Sequence, residues 1–108
     1  MLRINGNSIA LTRGDTAYLT IPIKINNQLY IMANDDRLTI SLKNDVEDRS
    51  YVLNKTIVGS NVFHIKPSDT ASLKFKKYKY DVQINMANGD VFTVIPCDTF
   101  EILAEVTC

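Results

Sequence analysis

The chain has 108 residues, 45% hydrophobic and 22% charged, which is enough for one packed core and too little for two, so residues 1–108 are read as a single domain. That composition excludes intrinsic disorder, and no apolar run approaches the roughly 20 residues needed to cross a bilayer, so no membrane partner is expected. Twelve basic and twelve acidic side chains cancel, which removes the uniform basic field that drives non-specific nucleic-acid binding.

Twelve isoleucines, eight valines and nine threonines favour pleated backbone, and strands are expected to dominate. The opening Met1-Leu2-Arg3-Ile4-Asn5-Gly6-Asn7 lacks the apolar core of a secretory signal, which predicts cytoplasmic synthesis. Asn5-Gly6 marks a first turn, and a strand ending at Leu11 follows it. From Ala17 the alternation is clean: Ala17, Leu19, Ile21, Ile23 and Ile25 share one face, and Tyr18, Thr20, Pro22 and Lys24 the other. Pro22 has no N–H to give a ladder, so this strand is expected at a sheet edge or with a bulge. Leu38, Ile40 and Leu42 alternate with polar neighbours in the same manner.

Asn26-Asn27, Asn34-Asp35-Asp36, Gly59-Ser60-Asn61 and Asn88-Gly89-Asp90 supply turn chemistry at the intervals of a meander. The one helical candidate is Ser68-Asp69-Thr70-Ala71-Ser72-Leu73, where Pro67 ends the preceding strand and Ser68 or Asp69 caps the turn. Beyond it Tyr78, Tyr80, Val82, Ile84 and Met86 share one parity, and Asn88-Gly89 reverses the chain into residues 91–95. A last strand over residues 99–107 is expected to bury Phe100, Ile102, Ala104 and Val106 and to expose Glu101 and Glu105. Seven to nine short strands with one short helical turn point to an all-β antiparallel sandwich in preference to a barrel.

Few groups converge for chemistry. His64, between Phe63 and Ile65, has no nucleophile elbow to serve and reads as a surface or packing residue. One histidine and two distant cysteines do not make a zinc spacing, and neither acidic run, Asn34-Asp35-Asp36 nor Asn44-Asp45-Val46-Glu47-Asp48, has the order of a calcium loop. Both runs read as solvated turns, so no catalytic residue, metal ligand or cofactor is assigned. Cys97 and Cys108 would close only a short loop and are expected to be free thiols.

Lys74-Phe75-Lys76-Lys77-Tyr78-Lys79-Tyr80 interleaves bases and aromatics as single-strand binders do, but parity turns Tyr78 and Tyr80 inward. Lys77 and Lys79 are left to guard a sheet edge, and no nucleic-acid partner is expected. Arg13-Gly14-Asp15 matches an integrin-binding tripeptide, yet a strand before it and another after it make it a short connecting turn.

Four segments together resemble small phage and prophage structural proteins of Gram-positive bacteria. They are Ser8-Ile9-Ala10-Leu11-Thr12-Arg13-Gly14-Asp15-Thr16-Ala17, then Asp69-Thr70-Ala71-Ser72-Leu73 with Tyr78-Lys79-Tyr80-Asp81-Val82, the hairpin Asn88-Gly89-Asp90-Val91-Phe92-Thr93-Val94, and Glu105-Val106-Thr107. The resemblance implies an immunoglobulin-like sandwich belonging to a tail, baseplate or tail-fibre module. Leu73, Tyr78 and Tyr80 also resemble the tyrosine corner of immunoglobulin-like and fibronectin-like domains, with Tyr78 as the corner residue and Lys76 where a glycine is usual. The paired cysteines and core tryptophan of antibody domains are absent.

The function so implied is that of a non-enzymatic virion structural or accessory protein, found in the virion and contacting copies of itself or other tail proteins. The alternative is a β-sandwich module that binds carbohydrate or a cell-surface protein. Sheet edges are the expected means of contact, with the strand from Phe100 to Val106 as the edge that makes it.

Overall fold

The structure is a computed structural model that describes residues 1–45, 47 and 49–104. Ten strands and one helical turn occur among them: β1 (Leu2–Asn5), β2 (Ser8–Thr12), β3 (Ala17–Thr20), β4 (Lys24–Ile25), β5 (Gln28–Leu29), β6 (Arg37–Lys43), β7 (Leu53–Val58), β8 (Val62–Ile65), α1 (Pro67–Thr70), β9 (Lys77–Asn85) and β10 (Val91–Leu103). Six strands form one sheet in the order β1-β2-β10-β9-β6-β7, with β3-β8 and the β4-β5 hairpin as two-stranded sheets. The chain is an all-β sandwich. Its pairings are antiparallel except β2 with β10, which run parallel from Ile9↔Phe100 to Thr12↔Leu103.

Period-two burial builds the core between the large sheet and β3-β8. Leu38, Ile40 and Leu42 of β6 meet Tyr80, Val82 and Ile84 of β9 in register, and all six are buried. Leu19, Phe63 and Ile65 face them from the smaller sheet. Tyr80 packs edge-on against Phe100, with ring centroids 5.8 Å apart. Its hydroxyl donates to the Asn7 carbonyl, which ties the β1-β2 turn to the core.

The strand expected over residues 17–25 is split. Ala17, Leu19, Ile21 and Ile23 are buried as the alternation requires, but Pro22 interrupts the ladder. Before Pro22, the Ile21 N–H reaches the Asn61 carbonyl; after it, the Ile23 carbonyl accepts from Tyr30 N–H, so the chain changes partners at the proline. Asn26 and Asn27, at φ 53° and 64°, close the β4-β5 hairpin in the left-handed conformation that a two-residue turn demands.

Residues 91–103 form one strand, where the sequence predicts two, over 91–95 and 99–107. Register shifts between Thr93 and Ile95 and between Ile95 and Asp98 mark bulges, which let a proline sit in a central strand. Ala104, expected in the core, is exposed, because β10 leaves its partners at Leu103. Val106 and the other residues expected to prolong this strand lie outside the described residues. The helical turn begins at Pro67, one residue before the expected start, and the Asp69 carboxylate accepts the Lys66 N–H at 2.8 Å while Ser68 takes no such role.

Candidate interaction surface

Strand order places Lys77 and Lys79 differently from the edge expected for them. β9 lies between β10 and β6, so the two lysines stand on the outer face in the middle of the sheet, Lys77 opposite Glu101 and Lys79 opposite Lys43 and Thr99. Likewise β10 is flanked by β2 and β9: Phe100 and Glu101 are paired on both sides, the Ile102 N–H goes to the Lys76 carbonyl, and the β2 side is taken through Leu103, so this stretch is not the open edge expected for the strand from Phe100 to Val106. The open edges of the large sheet are β1 and β7.

The outer face is polar. Thr93, Gln83, Thr39 and Thr56 form one row across β10, β9, β6 and β7, and the Thr39 and Thr56 hydroxyls lie 2.9 Å apart. In the next outward row Asp81, Ser41 and Asn54 follow, with the Asn54 amide donating to Ser41 Oγ at 2.9 Å. Where the β10 bulge turns Cys97 outward, a shallow hollow of about 210 Å³ opens among Ser41, Lys43, Tyr51, Lys79, Tyr80, Asp81 and Cys97. Lys43 Nζ lies 4.9 Å from the Tyr51 ring centroid. Cys97 is a free, exposed thiol.

On the opposite sheet His64 projects outward, as its parity predicts, and stacks on Tyr18 with ring centroids 4.6 Å apart. Tyr18 remains 65% exposed. Among the described residues no group of three or more His, Cys, Asp or Glu comes together that could hold a metal.

Arg13-Gly14-Asp15 is held into the fold. Arg13 lies over the Phe75 ring at 4.2 Å and donates to the Leu73 carbonyl; the Gly14 N–H donates to Thr70 Oγ1 at 2.9 Å; Asp15 meets the Met1 ammonium. Gly14 has φ 83°, the left-handed region for which a turn recruits glycine. The tripeptide docks the β2-β3 connection onto α1, a structural employment for all three residues.

The basic and aromatic run 74–80 is equally committed. Tyr78 and Tyr80 are buried, Phe75 carries Arg13, and Lys76 Nζ sits 5.1 Å from the Tyr78 ring centroid. The Tyr78 hydroxyl accepts the Lys74 N–H at 2.9 Å, which makes the corner expected before this strand despite Lys76 in the glycine position.

One of the acidic residues read as solvated is not. Asp36 is 2% exposed and accepts from the Tyr30 hydroxyl, from Ala33 N–H at 2.9 Å and from Ala87 N–H at 3.1 Å. The Tyr30 bond, then the Ala33 and Ala87 amides, outweigh burial and hold its carboxyl below the usual range. Asp69 is held low in the same sense: burial opposes the charge, and bonds from Lys55 Nζ and Lys66 N–H overcome it. Tyr80 is pushed the other way, up to about 12, by burial and then by the nearby Asp98.

The outer-face row and the β7 edge escaped sequence reasoning, because both depend on which strands are neighbours. No family model, no curated protein and no solved structure matches the chain. Among the described residues no helix is long and apolar enough to cross a membrane.

Proposed function

We propose that this chain is a non-enzymatic structural or accessory module of a phage or prophage virion, in its tail, baseplate or fibre, working through protein contacts. The observation that supports the fold on which this reading rests is the strand arrangement: β2-β10-β9-β6-β7 opposite β3-β8, with β2 parallel to β10 and α1 leading into the Tyr78 corner. An immunoglobulin-like or fibronectin-like sandwich has that kind of order, with its last two strands beside the third and a tyrosine corner before the penultimate one. This is the fold that the phage-type segments imply. The virion assignment itself rests on those segments, since a sandwich serves many functions.

Its open edges and flat polar face suit docking in multiple copies, and synthesis in the cytoplasm followed by incorporation into particles fits an assembly component. A second reading, carbohydrate binding, is favoured by the hollow that joins Tyr51 to Lys43, Ser41 and Asp81. Co-expression with candidate phage tail proteins, followed by affinity capture and a glycan array, separates the two. Retention by a tail component supports the assembly reading; glycan binding without retention replaces it with the second.

A further inference from the structure

We propose that β7 is a self-complementary docking edge, and that two copies of the chain join by antiparallel β7–β7 pairing centred on Thr56. The proposal rests on reading the chain as an assembly module and names its first partner as a second copy.

The backbone of β7 decides which of its groups are spare. Gly59 N–H donates to the Asp36 carbonyl, and Asp36↔Gly59 continues the register that pairs Arg37 with Val58 and Leu38 with Ile57. Hydrogen-bonded pairs alternate along an antiparallel ladder, so Ile57 and Lys55 spend their N–H and C=O groups on β6. Asn54, Thr56 and Val58 point theirs away from the sheet. Because β7 ends the strand order, no strand among the described residues meets them.

Those three residues are spaced for self-pairing. With Thr56 opposite Thr56 of the second copy, Asn54 falls opposite Val58 and Val58 opposite Asn54. Each pair exchanges two hydrogen bonds, so every spare group of the edge finds a partner. The outer-face row Thr93-Gln83-Thr39-Thr56 then runs on into the same row of the second copy. Val58, 57% exposed, is covered by Asn54 across the seam.

Charge favours the same register. The only charged residue of β7 is Lys55, whose Nζ is held by Asp69, and centring on Thr56 sets it opposite Ile57 and away from its own symmetry mate. β1 does not qualify: it is four residues long, and centring it on Arg3 opposes two arginines. β7 has no proline and no register shift against β6, and its one lysine, Lys55, lies on the inner parity with its charge met by Asp69 of the same copy, so it does not stand in the way of a second strand. The seam is narrow, so the isolated dimer is weak and gains from repetition within a larger assembly.

Sedimentation across a wide concentration range, with wild type and Thr56→Pro, tests the edge. Proline at 56 removes an N–H that β6 does not use, so the fold is expected to survive while self-association weakens by at least about tenfold. In a Cys97→Ser, Cys108→Ser background, Thr56→Cys is expected to form a disulfide-linked dimer on oxidation, because paired Cα atoms lie roughly 5.5 Å apart, within disulfide reach. Thr39→Cys, one strand further in, is expected to stay uncrosslinked; this assay decides the matter even if the proline variant unfolds. Self-association indifferent to Thr56→Pro, with no crosslink at 56, overturns the β7 seam and leaves the assembly reading standing. A strict monomer that still captures a tail protein does the same. A strict monomer that captures none removes both.

Discussion

Two polar anchors hold opposite ends of this sandwich, and they differ in how far they reach. At one end the Tyr78 hydroxyl accepts the Lys74 N–H, four residues back along the chain. At the other the Asp36 carboxylate joins Tyr30 and Ala33 to Ala87 in the β9-β10 turn, 51 residues away, while its own carbonyl takes the Gly59 N–H. The corner stiffens one connection; the Asp36 carboxylate and carbonyl together fasten three. A buried charge with three donors is also the costlier group to disturb, since removing it strands every donor at once.

The largest expected effect is therefore at Asp36. Asp36→Ala is expected to destabilise the fold more than any other change proposed here, with the midpoint of urea unfolding as the measure. Tyr30→Phe, which removes one donor, is expected to cost less than Asp36→Ala. The pH dependence follows from the direction of the shift. A carboxyl held low in the folded state binds its proton more weakly there than in the unfolded chain, whose value is about 3.9. Its contribution is present above that value and lost as pH falls through the lower folded one. Stability that drops below about pH 4 in wild type, and drops less in Asp36→Asn, is the expected pattern.

Next comes the corner. Tyr78→Phe is expected to cost about 1 to 2 kcal/mol in denaturant unfolding, through a lost hydrogen bond and an orphaned Lys74 N–H. A loss as large as that of Asp36→Ala would erase the distinction between a local and a long-range anchor. At high pH the relevant group is Tyr80, whose phenol is pushed up to about 12. A phenol raised in the folded state stabilises below its unfolded value, near 10, and that contribution disappears as pH climbs towards 12. Tyr30 is raised as well, by its bond to Asp36, so ultraviolet titration of wild type against Tyr80→Phe is expected to remove one late-ionising tyrosine and leave the other.

The smallest effects belong to the surface. Asp15→Glu is expected to leave the melting temperature nearly unchanged, because the Asp15 contact with the Met1 ammonium is exposed to solvent. Integrin-dependent cell adhesion to the wild type, lost in that variant, would overturn the turn reading of Arg13-Gly14-Asp15. Reductant is expected to leave the melting temperature where it is, Cys97 being a free thiol.

The contrast between the two anchors also explains what the sequence made legible. Burial by alternate residues in β6 and β9 could be read directly, because one buried face imposes period two on the residues themselves. The Asn26-Asn27 and Asn88-Gly89 turns and the Tyr78 corner were legible for a related reason: each is specified within a few residues. Asp36 looked like a solvated turn residue because two of its tethers, Ala87 and Gly59, are distant in sequence. Lys77 and Lys79 read as edge residues, and Phe100 to Val106 as a docking strand, for want of the strand order that puts β9 and β10 in the sheet interior. Periodicity reports which face a side chain takes; it carries no information about which strand lies alongside. The β7 edge belongs to that second kind of fact.

The alternation of spare and spent amides along β7 is the central claim, and native-state hydrogen exchange reads it residue by residue. In dilute solution Lys55 and Ile57 are expected to be protected by β6 while Thr56 and Val58 exchange rapidly, and raising the concentration is expected to protect Thr56 and Val58 as the second copy docks. Thr56 and Val58 amides that exchange equally fast at every concentration would contradict the account.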